Sequence, residues 1–272
     1  MKVAFSSDIH LDINHLDVNQ VVSLQANYLK RQAVDYYFII GDSFNDFQKT
    51  LNYVHSLQQA LPKVIIKFLA GNHDMFNGIN YEDLENEVDA NYFHNQFVDL
   101  PKTNWRIIGN NGWYDYSYAA HLQRSADRFY HWKQAYWADR IIEQPESDIS
   151  RFQRALTQVN TNLLQAKQHG RKTVLLTHFV PNQHFIHYTA DDRFFNMANG
   201  MLGGIGLERL INQYHVPLVV FGHLHRRFTP ITIKDTRYYN VAVGYHNRRH
   251  NEWQNPDFIR EWQQQTKIIN FF

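Results

Sequence analysis

Short apolar runs alternate along the chain with stretches in which apolar residues recur every three or four positions. Val3–Ser6, Tyr36–Ile40, Val64–Leu69, Trp105–Ile108, Val174–Thr177 and Pro217–Phe221 have strand length, and Arg237–Val243 predicts one or two strands more. Between them, Val18, Val21, Val22, Tyr28 and Leu29 fit one face of a helix. So do Leu51, Val54, Leu57 and Leu61, a pattern that stops at Pro62. Phe152, Leu156, Val159 and Leu163 mark a long helix ending near Gly170, and Ile205–Tyr214 marks another. Strands alternating with helices predict an α/β architecture with a buried, mostly parallel sheet. From about Trp113 to Ser150 the alternation lapses. This stretch holds Trp113, Tyr114, Tyr116, Tyr118, Phe129, Tyr130, Trp132, Tyr136 and Trp137, and reads as a helical insertion lying over the domain. Packing onto the core is the simpler role for these rings. A lid that stacks a flat group is the functional alternative.

The chemistry gathers where the apolar runs stop. Val3–Ser6 gives way to Ser7-Asp8-Ile9-His10, Tyr36–Ile40 to Gly41-Asp42, and Val64–Leu69 to Ala70-Gly71-Asn72-His73-Asp74. Val174–Thr177 ends in His178, and the run to Phe221 in Gly222-His223-Leu224-His225. Ligands of open α/β sheets sit beyond the carboxyl ends of the strands, so parallel strands would bring these side chains to one edge. Asp8 with His10 and His223 with His225 are spaced i, i+2, which on extended backbone places each pair on one face. Glycines 41, 71 and 222 would let the chain turn tightly as it leaves the sheet. The pooled donors Asp8, His10, Asp42, Asn72, His178, His223 and His225 exceed the needs of one tetrahedral ion and suit two, with a shared carboxylate. Imidazole mixed with carboxylate favours Mn, Fe, Zn or Co over Mg or Ca. Each motif alone reads as a turn or a helix cap; five in succession at strand ends read as a metal site.

Composition narrows the rest. The 272 residues allow one large domain with a well-buried core. There is no cysteine, which leaves no thiolate ligand, cysteine nucleophile or disulfide. Lys plus Arg (27) balances Asp plus Glu (26), so no global field draws in nucleic acid, and a nucleic-acid partner is not expected. Met1 runs directly into a strand pattern, and no apolar run approaches membrane-spanning length. A cytoplasmic protein with no membrane partner is the expectation; oligomeric state is not encoded in any pattern found.

In order and spacing, Asp8-x-His10, Gly41-Asp42, Gly71-Asn72-His73-Asp74, His178 and Gly222-His223-x-His225 resemble the calcineurin-like metallophosphoesterase superfamily, over about residues 1–245. The resemblance implies a single metallophosphoesterase domain over 1–272, folded as a four-layer α-β-β-α sandwich of two packed mixed sheets flanked by helices. It implies two divalent or trivalent transition metal ions, Mn, Fe or Zn. Asp8, His10, Asp42 and His225 would hold one, and Asp42, Asn72, His178 and His223 the other, with Asp42 bridging. It further implies hydrolysis of a small-molecule phosphate ester by a metal-bridging hydroxide. In that reading His73 is a catalytic residue that contacts the phosphate or protonates the leaving oxygen, and Asp74 orients His73. Asn45 fills the slot, three residues after the bridging Asp, where the family often carries Asp or Asn.

Gly41-Asp42-Ser43-Phe44-Asn45-Asp46 lacks the Arg of the protein Ser/Thr phosphatases, and His73 stands where lipid A pathway hydrolases commonly carry Arg. Cyclic-nucleotide phosphodiesterases of the superfamily share the motif set and approximate size. A phosphodiesterase is therefore the leading expectation. A phosphomonoesterase and a non-catalytic metal-binding scaffold are the alternatives. The loop Pro181 to Gly206 runs between two ligand strands, where loops usually set specificity, although His184, His187, Tyr188, Asp191, Asp192 and Arg193 each read singly as solvated surface. Arg226 or Arg227 beside His225 could face a phosphate, with an exposed side chain as the simpler reading.

Overall fold

The computed structural model describes residues 1–190 and 195–272; Asp191, Asp192 and Arg193 lie outside the described residues. Ten strands are present among them: β1 (Lys2–Ser6), β2 (Tyr36–Ile40), β3 (Ile65–Leu69), β4 (Gln96–Asp99), β5 (Trp105–Asn110), β6 (Lys172–Thr177), β7 (Leu218–Phe221), β8 (Ile231–Ile233), β9 (Thr236–Asn240) and β10 (Lys267–Asn270). They form two sheets rather than one, in the orders β10-β1-β2-β3 and β4-β5-β6-β7-β9-β8. The central strands of each sheet are parallel, while β10, β4 and β8 pair antiparallel at the margins. Two mixed sheets flanked by helices are the architecture that the resemblance implied.

Alternation along the strands explains two sheets. Val3, Phe5, Tyr36, Phe38, Ile40, Ile107, Val174, Leu176, Leu218 and Val220 form one buried cluster, shared by strands of both sheets. The intervening Ala4, Tyr37, Ile39, Ile66, Ile108, Leu175 and Val219 belong to a second cluster with helical residues such as Leu29, Leu57 and Leu163. One face of each sheet therefore meets the other sheet, and the opposite face is covered by helices. Because both faces are apolar, a single-sheet and a two-sheet arrangement leave the same mark on the sequence.

The helices begin and end where short-range chemistry directs. Val18–Arg31 starts at Asp17, whose carboxylate accepts from the Gln20 amide. Phe47–Ala60 is capped in the same way by Asp46 and stops just before Pro62. The long helix Asp148–Gln168 is capped by Ser147. No helix among the described residues is long and apolar enough to cross a membrane.

Strand register sets the level of the site. Ser6 pairs with Ile39, Ile40 with Leu69, and Thr177 with Phe221, so these strands end side by side within each sheet. The two sheets are tied at that end. Ser7 donates its backbone N–H to Val241 and accepts from Val243 N–H, at 3.1 and 2.9 Å, which carries the chain after β9 onto the first sheet. His178 Nδ1 lies 2.9 Å from the Ile40 carbonyl oxygen, across the same seam.

Candidate metal centre

All seven donors expected from the sequence gather at this seam. Asp8, His10 and His178 are fully buried, and Asp42 and Asn72 nearly so. Three overlapping groups have ligand atoms within 4.8 Å of one another: Asp8, His10 and His225; His10, Asp42 and His73; and Asp42, His178 and His223. His225 Nε2 is 3.1 Å from both Asp8 Oδ1 and His10 Nε2. His178 Nε2 is 3.1 Å from Asn72 Oδ1 and 3.3 Å from Asp42 Oδ2.

The route by which the i, i+2 pairs converge differs from the expectation. Asp8, His10, Asp42 and His223 all have positive φ, at 55°, 44°, 57° and 66°. The side chains meet because the backbone is left-handed there, not because it is extended. Non-glycine residues rarely adopt this conformation, and its cost is borne by the surrounding hydrogen bonds. Asp8 N–H donates to Gly41 O at 3.0 Å, His10 N–H to Asp42 O at 3.0 Å, and Asp8 carboxylate accepts from His223 N–H at 3.0 Å. Of the three glycines, only Gly41 (φ 86°) serves a turn. Gly71 and Gly222 are needed for close approach: a Cβ would come 2.1 Å from Asp42 Oδ1 at the first and 2.1 Å from Ser7 Oγ at the second.

Asp74 does not orient His73. Its buried carboxylate accepts from the backbone of Asp42 (2.6 Å), Gly71 (2.8 Å), Ser43 (3.0 Å) and Phe44 (3.2 Å) and from Thr50 Oγ1 (2.6 Å). It thus stitches the loops after β2 and β3 together, and burial beside Asp42 pushes its carboxyl up to about 7. Asn45 takes the expected role instead, with Oδ1 2.6 Å from His73 Nδ1. The other ring nitrogen, Nε2, faces Tyr245 OH at 3.1 Å.

Three further contributors escaped the sequence reading. Tyr245 packs against His10 and His225, with ring centroids 4.5 and 4.4 Å apart. Glu252 Oε2 accepts from His225 Nδ1 at 2.8 Å and from Tyr245 N–H at 2.7 Å. Asp139, fully buried in the insertion, accepts from Asn72 Nδ2 at 2.8 Å. Glu252 and Asp139 follow no apolar run, and Tyr245, which does follow the run ending at Val243, is not a residue type that a search for metal donors selects. A carboxylate behind a ligating imidazole fixes its tautomer and raises its basicity. Glu252→Gln should therefore weaken metal binding at His225 by about tenfold or more, read as a rightward shift in a Mn²⁺ titration. An unshifted titration would rule out that support.

The electrostatics suit cations. Burial alone would raise Asp8, but the His225 and His178 imidazoles hold it down to about 2. Asp42 is likewise held well below the usual carboxylate range, against burial, chiefly by His178 and His73. Burial depresses His223 to about 3 and holds His10 well below its ordinary value, which leaves both rings neutral and able to donate a lone pair. His178 and His225 overcome burial through the neighbouring carboxylates and rise to about 9 and about 10. Buried carboxylates demand positive partners. His10 Nδ1 and His223 Nε2 are also buried with no hydrogen-bond partner among the described residues. The His10 nitrogen that faces the site is Nε2, 4.0 Å from Asp8 Oδ1 and 3.8 Å from Asp42 Oδ2, and neutral imidazole beside ionised carboxylate is the donor set a transition metal takes.

A cavity of about 610 Å³ opens over this centre. Asp42, Asn72, His73, His223 and His225 form its floor, and Tyr136, Trp137, Phe195, Leu202, Arg226 and Tyr245 line its walls. The insertion contributes both to packing and to the cavity wall. Trp113, Tyr114, Tyr116, Tyr118 and Phe129 are buried packing, whereas Tyr136 and Trp137 reach the cavity. Arg227 turns away, donating to the carbonyls of Ala242 and Val243, both at 2.7 Å. In the 181–206 loop, Tyr188 OH donates to the Tyr118 carbonyl at 2.8 Å, outside the cavity.

Solved structures share this fold. Phosphopantetheinyl hydrolase from Mycobacterium tuberculosis superposes with a TM-score of 0.69 at 16% identity, over 98% of this chain and 95% of that one. A dimetal phosphatase from Danio rerio gives 0.54 at 13% identity, over 88% and 86%. The anchor in the inner membrane complex of Plasmodium gives 0.50 at 15% identity, over 90% and 72%. At these identities the likeness is one of fold. No curated protein matches the chain significantly by sequence. The profile of the calcineurin-like phosphoesterases matches residues 1–227, which include every donor expected from the sequence. The chain therefore belongs to the calcineurin-like phosphoesterase family, whose members are metal-dependent phosphoester hydrolases.

Proposed function

We propose that this protein is a dinuclear phosphoesterase acting on a small-molecule phosphate ester, with a diester as its preferred substrate. Asp8, His10, Asp42 and His225 would hold one ion, and Asp42, Asn72, His178 and His223 the other. One observation carries this reading: Asp42 Oδ2 lies 3.8 Å from His10 Nε2 and 3.3 Å from His178 Nε2, so a single carboxylate faces both sets of imidazoles. Mixed N and O donors favour manganese, iron or zinc. Bound there, such ions supply activated water at neutral pH and neutralise charge on phosphoryl oxygens.

The chain's own residues do the rest. Asn45 accepts from His73 Nδ1, so it is the protonated ring, with a second N–H at Nε2, that would contact the phosphate or deliver its Nε2 proton to the leaving oxygen and return neutral. Tyr245, against Nε2, is placed to hold the ring at that angle. Cavity walls of Tyr136, Trp137, Phe195 and Leu202 give apolar surface to an ester substituent beyond the phosphorus. A relative of the same fold and similar length being a phosphopantetheinyl hydrolase agrees with a substrate carrying an organic arm.

The test compares bis-p-nitrophenyl phosphate with p-nitrophenyl phosphate in Mn²⁺, with Asp42→Asn as control. Preference for the diester, lost in the control, is the expected result. Preference for the monoester would replace this reading with a phosphomonoesterase. No turnover of either by metal-loaded protein would leave a metal-binding scaffold.

A further inference from the structure

Asn72 differs from the other donors in having two chemically distinct ends. Only the amide oxygen can ligate a metal; the NH₂ end repels one. Nothing in an isolated Asn side chain selects which end faces the site, because a half-turn of the amide exchanges them at little steric cost. Here Oδ1 lies 3.1 Å from His178 Nε2, on the site side, and Nδ2 donates to Asp139 Oδ1 at 2.8 Å on the far side. An ionised carboxylate only accepts hydrogen bonds. With Asp139 behind it, Asn72 must present NH₂ outward and oxygen inward.

Asp139 is itself held. It is fully buried, on the short helical turn Ala138–Ile141, and its second oxygen accepts from Trp137 Nε1 at 3.1 Å. Trp137 and Ala138 line the cavity over the metal centre. The same turn of the insertion therefore builds the substrate wall and backs Asn72. We propose that Asp139 is the positioning residue that aims the Asn72 oxygen at the metal centre, so that the insertion, and not the sheet ends alone, sets metal affinity. The inference rests on Asn72 being a ligand, as the proposed function has it.

Asp139→Asn is the informative variant, because it is isosteric and can donate as well as accept. Asn72 is then no longer forced to turn its oxygen inward. The measurement is Mn²⁺ binding to apo protein by calorimetry, with metal content per chain after dialysis, for wild type, Asp139→Asn, Asn72→Ala and the double variant. We expect Asp139→Asn to weaken the affinity of one ion by about 10–100-fold. We also expect it to add no further loss once Asn72 is Ala. Circular dichroism and a thermal melt establish that each variant is folded. Should the amide variant not fold, Asp139→Ser removes the same obligate acceptor with a smaller side chain and is read identically.

Unchanged affinity in a folded Asp139 variant would overturn the inference while leaving the proposed function intact. A loss that persists in full on the Asn72→Ala background would also overturn it, because Asp139 would then act through the general structure. Wild-type protein that binds none of Mn²⁺, Fe²⁺ and Zn²⁺ would overturn both.

Discussion

Asp42→Asn should remove essentially all hydrolysis and reduce bound metal. Exchanging one carboxylate oxygen for an amide NH₂ changes little volume but deletes the charge that faces both imidazole sets. Asp42 Oδ1 also receives the His73 backbone N–H at 2.9 Å, so the side chain is anchored and cannot swing to compensate. Replacing the partner of a ligand typically costs about 10–100-fold, and on the proposed dinuclear reading, in which Asp42 is shared by two ions, its replacement should exceed that range. The check is metal content beside initial rate. Full metal occupancy with full activity in the variant would remove Asp42 from the centre. In metal-free protein the variant should also lower the melting temperature, because it leaves the buried His178 imidazole without the carboxylate that holds its charge. A chelator added to wild type should abolish turnover in the same way, with recovery on adding Mn²⁺.

His73→Ala should lower turnover by about 10²–10⁴-fold while both ions stay bound. Among the described residues a His73 ring nitrogen lies within 4.8 Å of donor atoms of His10 and Asp42, so this experiment also asks whether it is a ligand. Loss of metal would make it one. Proton delivery and phosphate contact can be separated through the leaving group. A p-nitrophenolate departs readily without a proton, whereas an alkoxide needs one. If His73 protonates the leaving oxygen, the Ala variant should be impaired much more on an alkyl diester than on bis-p-nitrophenyl phosphate. Equal impairment on both would assign it to phosphate contact alone. Asn45→Ala should reproduce part of this defect, since Asn45 holds Nδ1 at 2.6 Å.

The sequence by itself determined the strand ends and what hangs from them. Apolar runs long enough for buried strands place β1, β2, β3, β5, β6 and β7 within a few residues of where they lie, and capping residues and Pro62 bound the helices. Asp8, His10, Asp42, Asn72, His178, His223 and His225 were legible because each follows such a run, and parallel register then brings them level. These are local facts, written in neighbouring residues.

What required three dimensions was every relation between distant segments. A strand apolar on both faces does not state whether sheet or helix covers each face, so division into two sheets was decided by packing. The left-handed backbone of Asp8, His10, Asp42 and His223 carries no glycine to announce it; hydrogen bonds between loops impose it. The short strand β4 lacks a pattern distinct from loop and is a strand through its pairing with β5, while Ile268 and Ile269 of β10 have strand character that the sequence reading left unassigned. The family resemblance, by analogy with carboxylates that orient imidazoles, implies Asp74 as the partner of His73. Yet adjacent side chains diverge, and the folded chain gives Asp74 to the backbone of two loops and Asn45 to His73. Glu252 and Asp139 sit 27 and 67 residues from the side chains they support. Nothing in either neighbourhood marks them. A buried polar group takes its partner from whatever segment the fold brings against it, so the residues that aim the donors were settled only by the tertiary structure.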